Sequence, residues 1–415
     1  MQDLPIVHRR SAGIDVHKTF VTVAARAVRQ RKVEYIDARF ETTTAGLLAL
    51  ADWLREHGIE RVVMEATGVY WKPVWHVLEG AVALTLANAQ EVRNIPGRKS
   101  DVSDARWLST LDTYGLIKAS FVPPAPIREL RDLTRTRQQL TRQIVQNQNR
   151  VAKILEDANI KLASVVSDLF GASGRRMLDA MAKGETSPTR LAALADRRLK
   201  ATPGELTAAL EGRLTTHHAF LIHEHLELID HLAARVASFE RRIGELLQPF
   251  RELTERMSLI PGVKARAAAS IIAEIGLDMS RFPTSGHLLS WARLVPRQDE
   301  SGGRIRSRRV KQGGAWLKPL LIQCAWAAAR TKDTYLSRQF AGIAARRGGK
   351  KAAMAVAGSI LTAIYHMIKS GEPYRPPVAA APKSPTAEID QHRKALTRLG
   401  YDVRLTPVTP TPASF

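Results

Sequence analysis

The sequence predicts a mixed α/β region followed by a longer, mostly helical part. Residues 11–120 alternate between segments with the apolar spacing of strands and segments with that of helices. From Pro123 onward the apolar residues recur mainly at helical spacing. The chain has 415 residues, enough for two or three domains that each bury a core.

The first region is predicted to run strand, strand, strand, helix, strand. AGIDVHKTFVTVAARAV, residues 12–28, is rich in β-branched residues, and KVEYIDARFETT, residues 32–43, alternates apolar and polar residues. AGLLALADWLREHGI, residues 45–59, has helical spacing, and RVVMEA, residues 61–66, is a short apolar run typical of a buried strand. This order indicates a mixed α/β domain.

Two long helices are predicted between Pro123 and about Phe250, and we expect them to pair as a coiled-coil arm. Their apolar stripes are formed by Leu140, Ile144, Val151 and Leu155 in the first helix, and by Leu214, Leu221, Leu228, Leu232, Phe239, Ile243 and Leu246 in the second.

The remaining chain is predicted to hold a third, mostly helical domain and a tail. Residues after Gly371 are rich in proline and alanine, which is typical of a linker or a disordered segment. The predicted domains are 1–120, 121–254, 255–372 and 373–415.

The charge balance predicts a polyanionic partner. Lysine and arginine number 62 against 40 acidic residues, a formal net charge of +22. Nucleic acid is the first candidate and an anionic membrane surface the second. The apolar runs AVALTLANAQ and LLIQCAWAAA are shorter than the roughly 18–20 residues that span a bilayer, and MQDLPIVHRR lacks the apolar core of a signal peptide. We therefore expect a cytoplasmic protein without a membrane segment.

Arginine and lysine side chains crowd the first arm helix, with few acids between them. This pattern favours contact with a nucleic-acid backbone, and the alternative is the solvated face of a coiled coil. The residues are Arg128, Arg131, Arg135, Arg137, Arg142, Arg150 and Lys153.

Cysteine and histidine give little support for a soft-metal site. A single cysteine, Cys324, excludes an internal disulfide and a multi-cysteine zinc site, and its apolar helical context predicts a buried small side chain. His217, His218, His223 and His225 do not share one helical face, which disfavours a structural metal.

Four acidic residues form a candidate metal site in the first region. Asp15 lies in the first predicted strand and Glu65 ends the fourth, while Asp101 and Asp104 stand three apart at a predicted helix start. Neighbouring carboxylates repel unless a cation lies between them. Each acid could instead face solvent, and Asp101 could cap the helix. Together they favour a two-metal phosphoryl-transfer site holding Mg²⁺.

These motifs carry a family resemblance. GIDVHK, MEATGVYW and KSDVSDA resemble the DEDD motifs in the RuvC-like, RNase H-fold domain of transposases of the insertion-sequence one-hundred-and-ten (IS110) family, also called bridge recombinases. The resemblance implies that Asp15, Glu65, Asp101 and Asp104 bind the catalytic metal. We assign no catalytic role to His17 and Lys18, which are expected at the surface beside the strand end.

The start of the third domain, SLIPGVKARAAASIIAEIG, resembles a helix-hairpin-helix motif. The turn of such a motif offers backbone N–H groups to phosphate. Lys264 replaces the second glycine of the usual turn, and its side chain could itself contact phosphate. The alternative is a plain antiparallel helix pair that packs in the core.

Ser301 is the candidate nucleophile. It precedes Gly302 and Gly303 in a predicted loop between apolar segments, and basic residues follow at Arg304, Arg306, Arg308, Arg309 and Lys311. A serine before two glycines can be merely a flexible turn. An unhindered hydroxyl among cations also suits attack on phosphorus, because the cations stabilise the developing charge. The segment resembles the C-terminal transposase domain of the same family, whose SG element carries a nucleophilic serine. Ser290 and Ser307 lack this glycine-flanked setting.

The sequence therefore predicts a bacterial DNA transposase or recombinase that uses Mg²⁺ and a serine nucleophile. The resemblance further implies double-stranded donor and target DNA, a structured bridge RNA that guides their choice, and an active dimer or tetramer. One alternative is a Holliday-junction resolvase-like nuclease, which activates water and does not need Ser301. Another is a nucleic-acid-binding scaffold without catalysis.

Overall fold

The computed structural model divides the chain into two compact units. The first unit is Met1–Pro124 and the second unit is Ala125–Phe415. The described residues are 4–29, 32–66, 68–95, 103–296, 299–301, 304–307, 310, 313–377 and 385–404.

The first unit is a five-stranded mixed sheet with helices, which confirms the predicted α/β start. Its strand order is β3-β2-β1-β4-β5, with β1, β2 and β3 antiparallel and β4 and β5 parallel to β1. The elements are β1 (Arg10–Val16), β2 (Phe20–Arg29), β3 (Lys32–Glu41), α1 (Thr44–Glu56), β4 (Arg61–Glu65), α2 (Trp71–Leu78), β5 (Ala83–Ala87), α3 (Ala89–Arg93) and α4 (Asp104–Thr113).

Helices cover both faces of this sheet. On one face, Ile14 of β1 and Met64 of β4 are fully buried in a core shared with α1 and α2. On the other face, Val63 packs against Trp107 and Leu108 of α4. Because side chains alternate along a strand, the odd-numbered residues of β1 and β4 point toward α4.

Helix α4 lies very close to β1. A Cβ on Gly13 would stand 1.9 Å from the carbonyl oxygen of Ala105, so only a glycine permits this approach. Ser11 Oγ donates to Asp112 Oδ2 at 2.7 Å, and this bond fixes the other end of α4. Ala105 contacts Gly13, and Asp112 contacts Ser11, so α4 runs antiparallel to β1. The first turn of α4 therefore lies toward the carboxyl end of β1.

The second unit is mostly helical. Its elements are α5 (Ala125–Asp157), α6 (Leu162–Val165), α7 (Ala172–Ala182), α8 (Pro188–Ala192), α9 (Pro203–Leu210), α10 (Thr216–Leu246), α11 (Arg251–Met257), α12 (Ala265–Ile275), α13 (Ser285–Trp291), β6 (Asp299–Ser301), β7 (Arg304–Ser307), α14 (Leu317–Arg330), α15 (Tyr335–Arg347), α16 (Gly349–Ser370) and α17 (Pro385–Arg398).

Two helices of 33 and 31 residues, α5 and α10, form the long arm of the second unit. Val151 of α5 shares a core with Ile222 of α10, whereas Leu130 of α5 shares another with Ile243, so the helices pair in opposite directions. The short helices α6–α9 pack around the first of these cores. The long paired helices agree with the prediction, and supercoiling of the pair stays a prediction.

Helix α16 forms the centre of the other core. Val356, Ile360 and Ile364 are fully buried and pack with residues of α12 and α14. Within the described part of the chain, α16 is also the one helix long and apolar enough to cross a membrane, and half of its most apolar stretch is buried. Its uncharged run, residues 352–368, is longer than either run considered above. We interpret α16 as a core helix, because burial by protein accounts for its composition.

Ser301 lies in a strand and not in the loop predicted for it. It ends β6 and pairs with Arg304 of β7 in a two-stranded antiparallel hairpin. A backbone bridge between Pro296 and Val310 closes the base of this hairpin. Gly302 and Gly303 lie outside the described residues.

Candidate active site

Asp15 and Glu65 lie side by side at one edge of the sheet. Ile14 of β1 is the register partner of Met64 of β4, so the next residue in each parallel strand is an acid. Adjacent strands are about 4.8 Å apart, and both acids have the odd-numbered parity that points toward α4. Each residue is half-buried. The sheet therefore presents two carboxylates at the same edge and on the same face.

Asp104 begins the helix that packs on this face. The contact of Ala105 with Gly13 brings the first turn of α4 toward the carboxyl end of β1, where Asp15 stands. Ser103 caps α4 by accepting a hydrogen bond from the Arg106 N–H, which explains why the helix begins here. Asp104 is exposed. The structure thus places Asp104 on the same side of the sheet as Asp15 and Glu65.

The full set of four acids cannot be compared with the structure, because Asp101 lies outside the described residues. Among the residues that are described, no three His, Cys, Asp or Glu side chains come close enough to form a metal-binding group. Asp15 and Glu65 are adjacent, whereas Asp104 approaches from the helix without completing a cluster.

The donor set of this edge fits a hard divalent cation. Carboxylate oxygens are the ligands that Mg²⁺ and Ca²⁺ prefer, and Asp15 and Glu65 present theirs from adjacent strands. Asp15 keeps 29% of its side-chain surface exposed, so a cation can reach it.

His17 contacts Asp15, a pairing that the sequence motifs did not predict. His17 Nε2 lies 3.1 Å from Asp15 Oδ2, and the imidazole packs against the Phe20 ring at a centroid distance of 4.4 Å. With 48% of its side chain exposed, His17 is at the surface as predicted, but it also orients the carboxylate. The usable signal was the spacing of two residues, because residues i and i+2 of a strand share a face.

Two of the arm arginines are engaged inside the second unit. Arg131 donates from Nε and Nη2 to the carbonyl oxygens of Ala273 and Glu274, both at 2.8 Å. Arg135 forms a bidentate pair with the Glu274 carboxylate at 2.7 and 2.8 Å. Burial lowers the pKa of Arg131 to about 10. These two residues join α5 to the end of α12 and so have a structural role, while phosphate contact by them stays a prediction.

Arg142 differs from these two arginines. It is exposed on α5, and its guanidinium lies over the Trp316 ring at 5.2 Å from the centroid. Arg135 lies over the same ring at 5.3 Å. Trp316 directly precedes α14, so this stack joins the arm to the segment that follows the hairpin of Ser301.

The helix-hairpin-helix candidate packs into the protein core. The turn between α11 and α12 contains Gly262 at φ +84°, and a Cβ there would lie 2.2 Å from the Cys324 carbonyl oxygen. Ile260 and Val263 of this turn are buried. The turn therefore faces α14, which favours the plain helix-pair interpretation. Cys324 is buried as predicted, and burial raises the pKa of its thiol to about 11.

Histidines of α10 contact residues of α5 within the arm. His218 completes the cap of the helix with Thr215, and its Nε2 lies 2.9 Å from Asp157 Oδ2. His225 Nδ1 lies 3.0 Å from Asn147 Oδ1 on α5. These contacts join α10 to α5 and account for both histidines without a metal.

Two family models match the chain. A model of the DEDD transposases of IS110 elements, described as a transposase, matches residues 12–160. A second, described as the transposase IS116/IS110/IS902 family, matches residues 254–341. Together they cover more than half of the chain.

Two curated relatives are similar to parts of the chain. A probable family 20 transposase of Pseudomonas aeruginosa is 29% identical over 242 residues, which is 56% of this chain and 66% of that protein. An uncharacterized 43.6 kDa protein of insertion element IS110 from Streptomyces coelicolor is 31% identical over 144 residues, 33% of this chain and 34% of that protein. The chain thus spans just under two thirds of the first relative and about a third of the second.

Among solved structures, a Ppx/GppA family member from Aquifex aeolicus covers 55% of this chain and 99% of its own, with 12% identity and a TM-score of 0.17. A likeness of this size carries no argument about fold or function.

Proposed function

Because the chain belongs to the IS110 family of transposases, we propose that it is the transposase of an insertion element, an enzyme that breaks and rejoins DNA strands. One observation carries the proposal: the two matched regions are also the two regions that hold the candidate catalytic groups. The first region contains the four acids and the second contains Ser301.

We assign divalent-metal binding to the acids of the first unit, in a RuvC-like, RNase H-fold domain. Asp15 and Glu65 would supply ligands from adjacent strands, Asp104 from the start of α4 and Asp101 from the segment before it. Mg²⁺ is the first candidate, because all four donors are carboxylates. When bound, the cation stabilises negative charge on the oxygens of the phosphate that reacts. His17 positions the Asp15 carboxylate through their 3.1 Å contact.

We assign the nucleophile to Ser301. Its hydroxyl oxygen attacks the phosphorus of a DNA phosphodiester, so that an Oγ–P bond forms and the bond from phosphorus to one sugar oxygen breaks. The serine proton is lost, and the departing sugar oxygen gains a proton. The ester on the protein keeps the bond energy, and a second sugar hydroxyl can reverse the step to join a new strand. Hydrolysis by water would discard this energy.

Family membership and charge support the proposed partners. The net charge of +22 suits double-stranded donor and target DNA, and it suits a structured bridge RNA equally. We further propose a homodimer or tetramer that acts in the bacterial cytoplasm.

A denaturing gel tests this proposal. The chain is incubated with RNA transcribed from the noncoding end of its element, with Mg²⁺, and with labelled DNA nicked near the crossover. A protein–DNA adduct is expected with the native chain and with Ser307→Ala, and it should be absent with Ser301→Ala.

The outcomes separate the rival functions. DNA cleavage without an adduct in any variant would favour the water-activating nuclease. DNA binding without cleavage, unchanged when Asp15 is replaced by Asn, would favour the scaffold.

A further inference from the structure

A basic cavity lies beside the hairpin that carries Ser301. Its volume is about 830 Å³, and we define it by the turn between α15 and α16 and by the base of the hairpin. Four exposed cations line it, namely Arg346, Arg347, Lys350 and Lys351. Apolar groups line the rest, namely Leu294, Pro296, Val310, Ile343, Met354 and Ala355.

The four cations of the basic cavity have little to neutralise them. They fall within six consecutive residues, and within the described part of the chain none of them forms an ion pair with an acid. Arg346 Nε donates to the Gly342 carbonyl oxygen at 3.0 Å, which holds that side chain against its own helix. Four like charges at one place repel each other, and an anionic ligand removes this repulsion.

The turn that presents these cations is held in place. Gly348 has φ +82°, and a Cβ on Gly349 would lie 3.0 Å from the Trp326 ring. Trp326 in turn packs on Phe340 of α15 at a centroid distance of 5.0 Å. The turn leads into α16, whose residues fill the core. A rigid support of this kind lets the cations contact a ligand without a large loss of backbone entropy.

The hairpin connects the basic cavity to Ser301. Pro296 and Val310, which line the cavity, form the bridge at the hairpin base, and Ser301 pairs with Arg304 at the far end. Ser301 is five residues along the chain from Pro296, so the two residues lie within about 17 Å of each other. Successive phosphates of one DNA strand advance about 3.4 Å along the helix axis, so this distance covers at most about five nucleotides.

We propose that the basic cavity binds backbone phosphates of DNA within about five nucleotides of the phosphodiester that Ser301 attacks. This inference rests on the proposed function, since it takes Ser301 as the nucleophile. The apolar lining favours DNA over RNA, because it can receive a deoxyribose edge, whereas a ribose would bring a 2′-hydroxyl against hydrocarbon without a partner.

A binding measurement with matched variants tests the cavity. The test variant combines Arg347→Gln, Lys350→Gln and Lys351→Gln. The control combines Arg197→Gln, Arg198→Gln and Lys200→Gln, which removes the same charge from exposed positions between α8 and α9. Affinity for a fluorescent duplex that spans the junction of the element and its flank is measured against salt. Log affinity falls as log salt rises, and the steepness of this fall should be smaller by about two to three in the test variant than in the native chain. The control should have the same steepness as the native chain. An equal slope in the two variants would overturn the proposal.

Single-phosphate neutralisation tests the position. Methylphosphonates are placed one at a time along the duplex strand that is cut. Some of those within about five nucleotides of the cut should lower the DNA affinity of the native chain and leave the affinity of the test variant unaffected. Equal sensitivity of both proteins at every position contradicts the proposed location. An Arg347→Lys variant should keep the native pattern, because its charge is retained.

The same titration with the structured RNA separates the two nucleic acids. If the test variant loses affinity for RNA and keeps its affinity for DNA, the cavity binds RNA and the inference is wrong. Binding needs no cleavage, so a missing Ser301 adduct together with an intact slope difference counts against the proposed function and not against the cavity as a DNA site.

Discussion

Gly13 of β1 and Ala105 of α4 approach so closely that a Cβ on residue 13 would stand 1.9 Å from the Ala105 carbonyl oxygen. This contact sets how near the first turn of α4, and with it Asp104, comes to the sheet edge of Asp15 and Glu65. The glycine of GIDVHK thus serves the candidate site through backbone packing.

We expect Gly13→Ala to displace α4. The added methyl group would clash with backbone atoms of α4, and no side-chain rotation can relieve this clash. The free energy of unfolding should therefore fall by about 1–3 kcal/mol. DNA cleavage should fall further than stability explains, because Asp104 moves with the helix. The control is Gly244→Ala in α10, where a Cβ meets nothing within 4 Å and stability should hold or rise. Native cleavage by a folded Gly13→Ala protein would show that the close approach is not needed.

Replacing Asp104 by Asn should abolish strand cleavage and leave DNA affinity largely unchanged. The substitution keeps the shape of the side chain and removes the charge that binds a cation, while the basic surfaces that contact phosphate remain. Asp52→Asn is the matched control, since Asp52 is an exposed acid paired only with Arg55 on the surface of α1. Cleavage and binding are measured on the same labelled duplex. Equal cleavage by the two variants argues against a metal-binding role for Asp104.

The arm arginines should separate into structural and binding residues. Arg135→Gln leaves the buried Glu274 carboxylate without its bidentate partner, so unfolding free energy should fall by about 2 kcal/mol, less than for a fully buried pair because Arg135 is one third exposed. Arg142→Gln removes an exposed cation over Trp316 and should cost under about 1 kcal/mol, but it should weaken DNA or RNA binding. Urea unfolding measures the loss of stability in each variant, and a salt titration measures the change in nucleic-acid affinity. Similar stability losses in both variants would contradict this division.

These arginines show what sequence reasoning could and could not reach. The charge pattern correctly marked α5 as a basic helix, yet it carried no information about Glu274, which lies 139 residues from Arg135. Periodicity predicted the order of strands and the first helix in the first unit, because local patterning there agrees with the fold. The sequence also placed Asp15 in the first strand and Glu65 at the end of the fourth, and the register of β1 and β4 brings the two acids together.

Other features depended on long-range packing and were missed. The hairpin of Ser301 was predicted as a loop, because glycine and arginine mask a short strand pattern. The short helices α6–α9 were not predicted as elements of their own, because their positions depend on the core that they share with the arm. The uncharged run of α16, residues 352–368, is visible in the sequence and was overlooked, and only its burial by helices distant in sequence required the structure.

The arm should lose stability in mild acid through His225. Burial, and then the nearby charge of Arg150, lower the pKa of His225 below its usual value near 6.5. The unfolded chain therefore binds this proton more readily than the folded chain, so stability is unaffected above about pH 6.5 and falls as the pH drops further. His225→Gln should reduce that fall, as measured by urea unfolding at several pH values. His223→Gln, which changes an exposed histidine on the same helix, is the control. An identical pH profile for His225→Gln and the native chain would show that this histidine does not contribute.

Peptide mapping of the covalent intermediate tests the central claim most directly. Trypsin should release residues 298–304, the peptide QDESGGR, in which Ser301 is the only hydroxyl-bearing side chain. After reaction with DNA and nuclease trimming, mass spectrometry should find a nucleotide phosphate on this peptide, and the Asp15→Asn protein should lack it. A nucleotide on a different peptide, or cut DNA with no modified peptide, would contradict Ser301 as the nucleophile.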